Sequence, residues 1–248
     1  MDLPRHHTIR ASSHRIINPF TPEKLAVLGQ SIGLTAGTTL LDLCCGKGEL
    51  LCTWARDHGV TGTGVDISTV SLAAARHRAD ELGVADRVSF VHGDASGHVA
   101  ADPVDVAACI GATWIGNGVE GTMELLQRSL RGGGTMLIGE PFWRADPPSQ
   151  EAVEASHARS RDDFDTLPGL VERFGTAGYD LVEMVLADED SWDRYRAAQW
   201  RNLRMFLDAN PDDELAAQLR AELTEAPLSY VRYGRALLGW GVFVLMRR

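Results

Sequence analysis

The segment Leu40-Leu41-Asp42-Leu43-Cys44-Cys45-Gly46-Lys47-Gly48-Glu49 decides the reading of this chain. Its first half is a short apolar run and its second half a glycine-spaced turn. The residues from Glu49 to His58 then take a helical spacing that stops at Gly59. The run has the length of a buried strand. Glycine in the turn lets the backbone approach a ligand closely, and the helix beyond it offers unpaired N–H donors. Such a turn serves more than one cofactor. A dinucleotide site wants a third small residue, in the pattern G-x-G-x-x-G/A, for the pyrophosphate and for helix packing. Leu51 stands three residues after Gly48, and its bulk opposes both.

Working outward, the same alternation repeats. Strands are expected over Thr39–Cys44, Thr61–Asp66, Val88–His92, Val104–Ile110 and Thr135–Gly139. Between them lie a helix capped by Ser68 and running to about Leu82, and a helix over Met123–Leu130 stopped by Gly132-Gly133-Gly134. Repeated βα units of this length imply a parallel sheet covered on both faces. Further on, a helix is expected at Leu167–Phe174, a strand at Leu181–Ala187, helices at Ser191–Leu207 and Asp212–Leu223, and a last strand at Trp240–Met246. The expected fold is α/β: one domain over 1–248 with a doubly wound, mostly parallel, seven-stranded sheet. It has an N-terminal arm (1–24), a cofactor-binding core (38–140) and a helical insert (188–238) before the last strand.

Composition narrows the partners. Thirty-four acids against 24 bases give a net charge of −10, which disfavours nucleic acid and anionic membranes, since both need clustered cations. No apolar run approaches the ~18 residues of a membrane span. The polar start Met1-Asp2-Leu3-Pro4 leads into no apolar stretch of signal-peptide type. Cys44 and Cys45 are adjacent, and Cys52 and Cys109 stand apart. This spacing suits neither a disulfide framework nor a zinc site, and reads as small buried residues in a reducing cytoplasm.

Two more acids follow strand ends. Asp66, with Ile67 after it, lies 18 residues beyond Gly48, where a carboxylate accepts from ribose hydroxyls. Asp94 follows the third strand in Gly93-Asp94-Ala95. It is placed to accept from an adenine amino group, with Ala95 leaving room for the ring. This series, acid, glycine turn, acid, acid, resembles the class I S-adenosylmethionine-dependent methyltransferases over roughly Leu40 to Glu140. Arg15–Lys24, Cys52–Gly64, Leu137–Trp143, Met184–Asp188 and Gly239–Val244 are similar to the bacterial YjhP-type members of that family.

The resemblance implies S-adenosylmethionine as cofactor, leaving as S-adenosylhomocysteine. Asp42 would hold its methionine part, Gly46 and Gly48 would face its backbone side, and Ile110-Gly111-Ala112 would lie near the transferred methyl. Cys44 departs from the family, which commonly has glycine there; its Cβ implies local strain or a thiol contact. Adenine-methylating relatives carry an (Asp/Asn/Ser)-Pro-Pro-aromatic motif after the fourth strand, and metal-dependent catechol methylators carry aspartates there. This chain has Gly111-Ala112-Thr113-Trp114 and no acid between Ile110 and Val119. Neither a nucleic-acid acceptor nor a metal is expected.

For the acceptor, Trp114 and Trp143 follow neighbouring strands and are read either as a sandwich for a flat molecule or as packing under the insert. Glu140 and His14 are the candidate bases, and Tyr195 a candidate acceptor contact. Arg194, Arg196, Arg201 and Arg204, with Trp192, Tyr195 and Trp200, form the one basic, aromatic patch. It is expected to pair with the acidic segment Asp146–Asp190, which holds twelve acids and three arginines. The alternative is that it binds an acceptor anion. The reading is a cytoplasmic methyltransferase for a small-molecule acceptor, compatible with a homodimer. The alternatives are a non-catalytic cofactor-binding regulator or scaffold, and a nicotinamide dehydrogenase.

Overall fold

The computed structural model describes residues 4–248; the first three residues of the arm expected over 1–24 lie outside that range. β1 (Thr39–Leu43), β2 (Thr61–Asp66), β3 (Val88–His92), β4 (Val104–Ile110) and β5 (Leu130–Trp143) are parallel. With β6 (Tyr179–Leu186) and β7 (Leu238–Arg247) they form a seven-stranded sheet in the order β3-β2-β1-β4-β5-β7-β6. β7 enters between β5 and β6 and runs antiparallel to both. Strand order reverses between β1 and β4, so the crevice at their carboxyl ends is where the topology puts a ligand.

Strand alternation builds two cores. Leu40, Val106, Leu137 and Val242 face α2 (Pro22–Ser31) and α3 (Glu49–His58), packing with Leu28, Leu51 and Trp54. Leu41, Leu43, Cys109, Ile138 and Phe243 face the other way, against α5 (Val119–Gln127) and α7 (Leu167–Thr176). Both faces are covered, which is why these strands read as unbroken apolar runs. α4 (Thr69–Glu81) begins as expected, with the Ser68 hydroxyl accepting from the Ser71 N–H.

Two boundaries differ from expectation for physical reasons. Gly132–Gly134 does not stop a helix. α5 begins and ends earlier, and the glycines form an irregularity inside β5, where Leu130 pairs with Val104 and Thr135 already with Val106. β5 also runs on to Trp143, through Pro141. β4 stops at Ile110, opposite Gly139, so beyond that point β5 has only β7 as a neighbour and a proline is tolerated.

The region between β6 and β7 holds α8 (Glu189–Ala209), α9 (Ala216–Ser229) and a π-helical turn over Tyr230–Gly234. Asp188 caps α8 by accepting from the Ser191 N–H at 2.8 Å. α9 starts at Ala216 rather than Asp212, because the Asp213 carboxylate accepts from the Leu215 N–H and holds a turn there. The arm helix α1 (Arg5–Arg10) docks Ile9 on Leu203, Leu207 and Leu219 of this pair.

The arginines of α8 do not pair with the acidic segment as a body. Arg194 and Arg204 take Asp190 and Asp208, one turn away on their own helix. The acidic segment instead neutralises its own arginines, Arg161 with Asp146 and Arg173 with Asp165.

Candidate active site

The glycine turn after β1 is a left-handed hinge. Cys44, Gly46 and Gly48 have φ of 61°, 54° and 69°. Glycine takes this conformation freely, whereas Cys44 carries a strain of about 1–2 kcal/mol. Gly48 is required twice over, since an added Cβ would lie 2.8 Å from the Phe90 ring and 2.9 Å from Ala75 Cβ. At Gly46 it would meet only Ile17, at 3.6 Å, so the backbone there is open to a ligand.

Asp66 pins this turn. Its Oδ2 accepts from the Gly46 N–H and its Oδ1 from the Ser68 N–H, both at 2.8 Å. The carboxylate therefore does structural work that its spacing alone did not reveal, and each oxygen keeps a second lone pair for a hydroxyl. Ile67 follows it and accepts from the His92 ring through its carbonyl. Asp94 accepts from the Ser96 N–H through Oδ1, and this bond holds its carboxyl below the usual range; Ala95 beside it is buried.

Asp42 is the outlier. It is 3% exposed and, among the described residues, makes no hydrogen bond or ion pair. Burial first, and then the nearby Asp66 charge, push its pKa up to about 8. Two acids without a cation between them leave an unmet demand for positive charge. A sulfonium nucleoside carrying an ammonium group fits that demand, and an open left-handed turn fits its backbone.

The N-terminal arm closes over this crevice. Lys47 of the turn donates to the Ala11 and Ser12 carbonyls at 2.8 and 3.1 Å. Asn18 donates to the Ile110 carbonyl at the end of β4. It also fills the space where a Cβ on Gly111 would sit, 2.4 Å from its Oδ1. The Tyr195 hydroxyl donates to the Ile17 carbonyl, and Asn202 to Arg10. Lys24 reaches the Leu186 carbonyl and Asp188. Lys47, Asn18 and Asn202 were not singled out from sequence. One signal was available: the chain has only two lysines, and both strap the arm.

His14 lies in the strapped arm. Its Nε2 donates to the Tyr195 carbonyl at 3.1 Å, since a carbonyl only accepts, and its ring packs edge-on to Tyr195 at 4.8 Å. The other nitrogen, Nδ1, is buried with no partner. Burial, ahead of the Lys47 charge, lowers the His14 pKa below its ordinary value, so a lone pair is available at neutral pH.

Glu140 is placed differently. Strand alternation puts it with Ile138 and Phe142, on the face opposite Leu40 and Asp42. It is 8% exposed, accepts from the Thr113 hydroxyl at 2.8 Å, and burial pushes its pKa up to about 7. The sheet thus keeps it apart from Asp42 and the glycine turn.

The Trp114–Trp143 sandwich does not form. Trp114 is 72% exposed, on a short 3-10 turn. Trp143 is buried against Ala152, Val153 and Leu237, and donates to the Arg161 carbonyl. The groove that Trp143 borders shares no wall with the glycine turn. β5 extends four residues past Gly139, which carries Trp143 under the insert and away from the crevice.

Among the described residues, no three His, Cys, Asp or Glu side chains converge to hold a metal, and no helix is long and apolar enough to cross a membrane.

Comparison with known proteins agrees with this geometry. A methyltransferase-domain family model matches residues 40–134, the strand–turn–helix units that build the crevice. The chain is 57% identical to the protein YjhP of Escherichia coli K12 over the whole of both chains. It is also similar to a crystal structure of an S-adenosylmethionine-dependent methyltransferase from Geobacter sulfurreducens in complex with S-adenosylhomocysteine. That match has 60% identity and a TM-score of 0.98, and covers 100% of this chain and 99% of that one. A second such complex, from Thiobacillus denitrificans, matches at 56% identity and a TM-score of 0.98 over the whole of both chains. The chain belongs to the S-adenosylmethionine-dependent methyltransferases, in the group that includes YjhP.

Proposed function

We propose that this chain transfers the methyl group of S-adenosylmethionine to a small-molecule acceptor held between the N-terminal arm and α8. The observation that carries the acceptor class is the strapping of the arm. It is tied to the turn at Lys47, to β4 at Ile110, and to α8 at Tyr195 and Asn202. A nucleic acid or folded protein has no approach to the crevice without breaking these ties, whereas a small molecule needs only a transient opening. Four free cysteines suit a reducing cytoplasm.

The cofactor, when bound, supplies an electrophilic methyl on a good leaving group. The chain's own residues align the partners, exclude water and, where the nucleophile is an acid, remove its proton. Asp42 answers the positive charge of the cofactor, with the turn at Gly46 and Gly48 against its backbone. Asp66 and Ile67 lie at its ribose, Asp94 and Ala95 at its adenine, and Cys44 and Ile110 flank the methionine end. His14 accepts the acceptor's proton at Nδ1, while its bond to the Tyr195 carbonyl fixes the tautomer. Glu140 acts as a positioning residue, through Thr113, on the loop that follows β4. Trp114 and Trp143 are left without an acceptor role, and Tyr195 carries His14.

The test uses a bacterial extract split at a 3 kDa cut-off and methyl-labelled S-adenosylmethionine. Label is expected in a compound of the low-mass fraction. Label confined to protein or nucleic acid would overturn the small-molecule reading. Labelling of neither fraction, with tight S-adenosylhomocysteine binding, would favour the regulatory alternative.

A further inference from the structure

The roof of the crevice carries a charge without a counterion. Arg196 on α8 is 8% exposed and has, among the described residues, no ion pair and no hydrogen bond; its Nε is buried and unpartnered. The carboxylates within reach are occupied. Glu222 pairs with Arg10 at 3.0 Å, and Asp193 takes the Tyr230 hydroxyl and Arg235. Burial lowers the Arg196 pKa, and the neighbouring Arg10 adds to it. A buried guanidinium left in this state is costly for the free protein, and such a cost is ordinarily removed by a partner of opposite charge.

Its geometry leaves room for one. The guanidinium lies over the Tyr230 ring, 5.7 Å from the centroid. That contact occupies the flat face of the group and leaves the in-plane N–H edge, which is the edge that grips a carboxylate or phosphate through two bonds. Further donors share the helix face. Trp192 and Trp200 stand four residues before and after Arg196, so all three lie along one stripe of α8. The indole Nε1 of each tryptophan is also buried and unpartnered. Trp200 packs on Tyr230 and Trp192 on Tyr195, the residue that carries His14.

We infer that the methyl acceptor is an anion, and that its carboxylate or phosphate is bound by Arg196 with the Trp192 and Trp200 N–H groups, within a turn of α8 from His14. The aromatic walls suit a flat or apolar body behind that charge. This inference rests on the small-molecule methyltransferase reading, and its test separates the two.

Full-length wild type, Arg196→Met and Arg196→Lys are first titrated with S-adenosylhomocysteine by calorimetry. Binding within about twofold in all three is expected, and its absence strikes the cofactor reading rather than the anion site. Each cofactor-loaded protein is then titrated with benzoate, octanoate, phenyl phosphate, inorganic phosphate and the neutral control benzamide, followed by tryptophan fluorescence. At least one organic anion is expected to saturate the wild type, with benzamide at least 10-fold weaker. Arg196→Met should weaken that anion by 30-fold or more, and Arg196→Lys by less, since a point charge replaces a fork. Saturation by the organic anions marks an acceptor carboxylate or phosphate ester, while saturation by inorganic phosphate alone marks a free-phosphate site and overturns the acceptor assignment. No saturable anion, or equal binding by Arg196→Met, overturns it too. A second readout needs no ligand: Arg196→Met should melt at or above the wild-type temperature, whereas a fall of several degrees would mark Arg196 as a structural residue.

Discussion

The floor and the roof of the crevice carry opposite unsatisfied charges. The floor holds Asp42 and Asp66 with no cation beside them, and the roof holds Arg196 with no carboxylate of its own. Folding alone gains nothing from either arrangement, since each desolvates a charge without a partner. Together they describe a site for two ligands, one cationic below and one anionic above. The strapped arm lies between them and presents the His14 lone pair. The difference teaches where a charge can be read from sequence: the floor acids stand at strand ends, which a topological rule marks, whereas the roof arginine is marked only by what fails to reach it.

The largest expected effect breaks the floor. Gly48→Ala puts a Cβ 2.8 Å from the Phe90 ring in a left-handed conformation. The left-handed strain (~1–2 kcal/mol) and the overpacking (~1–3 kcal/mol) sum to about 2–5 kcal/mol. At ~2–4 °C per kcal/mol for a chain of this size, thermal melting should show Tm lower by about 5–15 °C. S-adenosylhomocysteine binding should weaken with it. An unchanged Tm would mean that the turn is not held as described.

The roof is tested next at its base. His14→Gln keeps a donor for the Tyr195 carbonyl and removes the lone pair. Turnover of the labelled acceptor should fall by about 100-fold or more while cofactor affinity holds, because the missing step is proton removal. The acid limb of the wild-type rate profile should lie below pH 6.5, as burial lowers the His14 pKa. A limb at or above 6.5, or full activity in His14→Gln, would remove His14 from the chemistry.

The floor charge has its own pH signature. Asp42 holds a proton in the folded chain up to about pH 8, whereas an unfolded chain releases it near 3.8. Glu140 does the same from 4.5 up to about 7. In these windows the folded state binds more protons, so stability falls as pH rises. Melting curves should decline from pH 5 to 8. Asp42→Asn should flatten the decline up to pH 8, and Glu140→Gln only its part below 7. A decline of the same steepness in Asp42→Asn would show that the carboxyl is compensated.

The cofactor half of the site was legible for a reason the roof does not share. Asp42, Gly46, Gly48, Asp66 and Asp94 lie close in sequence to the strand ends that place them, and strand alternation with βα repeats is a local signal. The seven strands followed for the same reason, apart from the glycine bulge and the extension of β5, which depend on where β4 stops. The roof is assembled from residues far apart. His14 meets Tyr195, 181 positions away, and Asn202 meets Arg10, 192 away. No spacing rule reaches that distance. Glu140 and Trp143 show the converse error, since adjacency to a strand end suggested the crevice while strand parity and the longer β5 sent them elsewhere.

The smallest effect isolates what the turn gives up for its shape. Cys44 occupies φ 61° with a Cβ, a conformation that costs a non-glycine residue about 1–2 kcal/mol. Cys44→Gly relieves this strain but adds freedom to the unfolded chain, worth about 0.5–1 kcal/mol in the other direction. The net gain should be about 0.5–1 kcal/mol, a rise in Tm of roughly 1–4 °C, with cofactor affinity held if the thiol makes no contact of its own. A rise in Tm with weaker binding would assign the thiol to the cofactor. A fall in Tm would mean that the Cys44 side chain, beside Cys109 in the apolar layer, contributes more by packing than its backbone loses by strain. The floor would then be fitted for its own core as well as for its ligand.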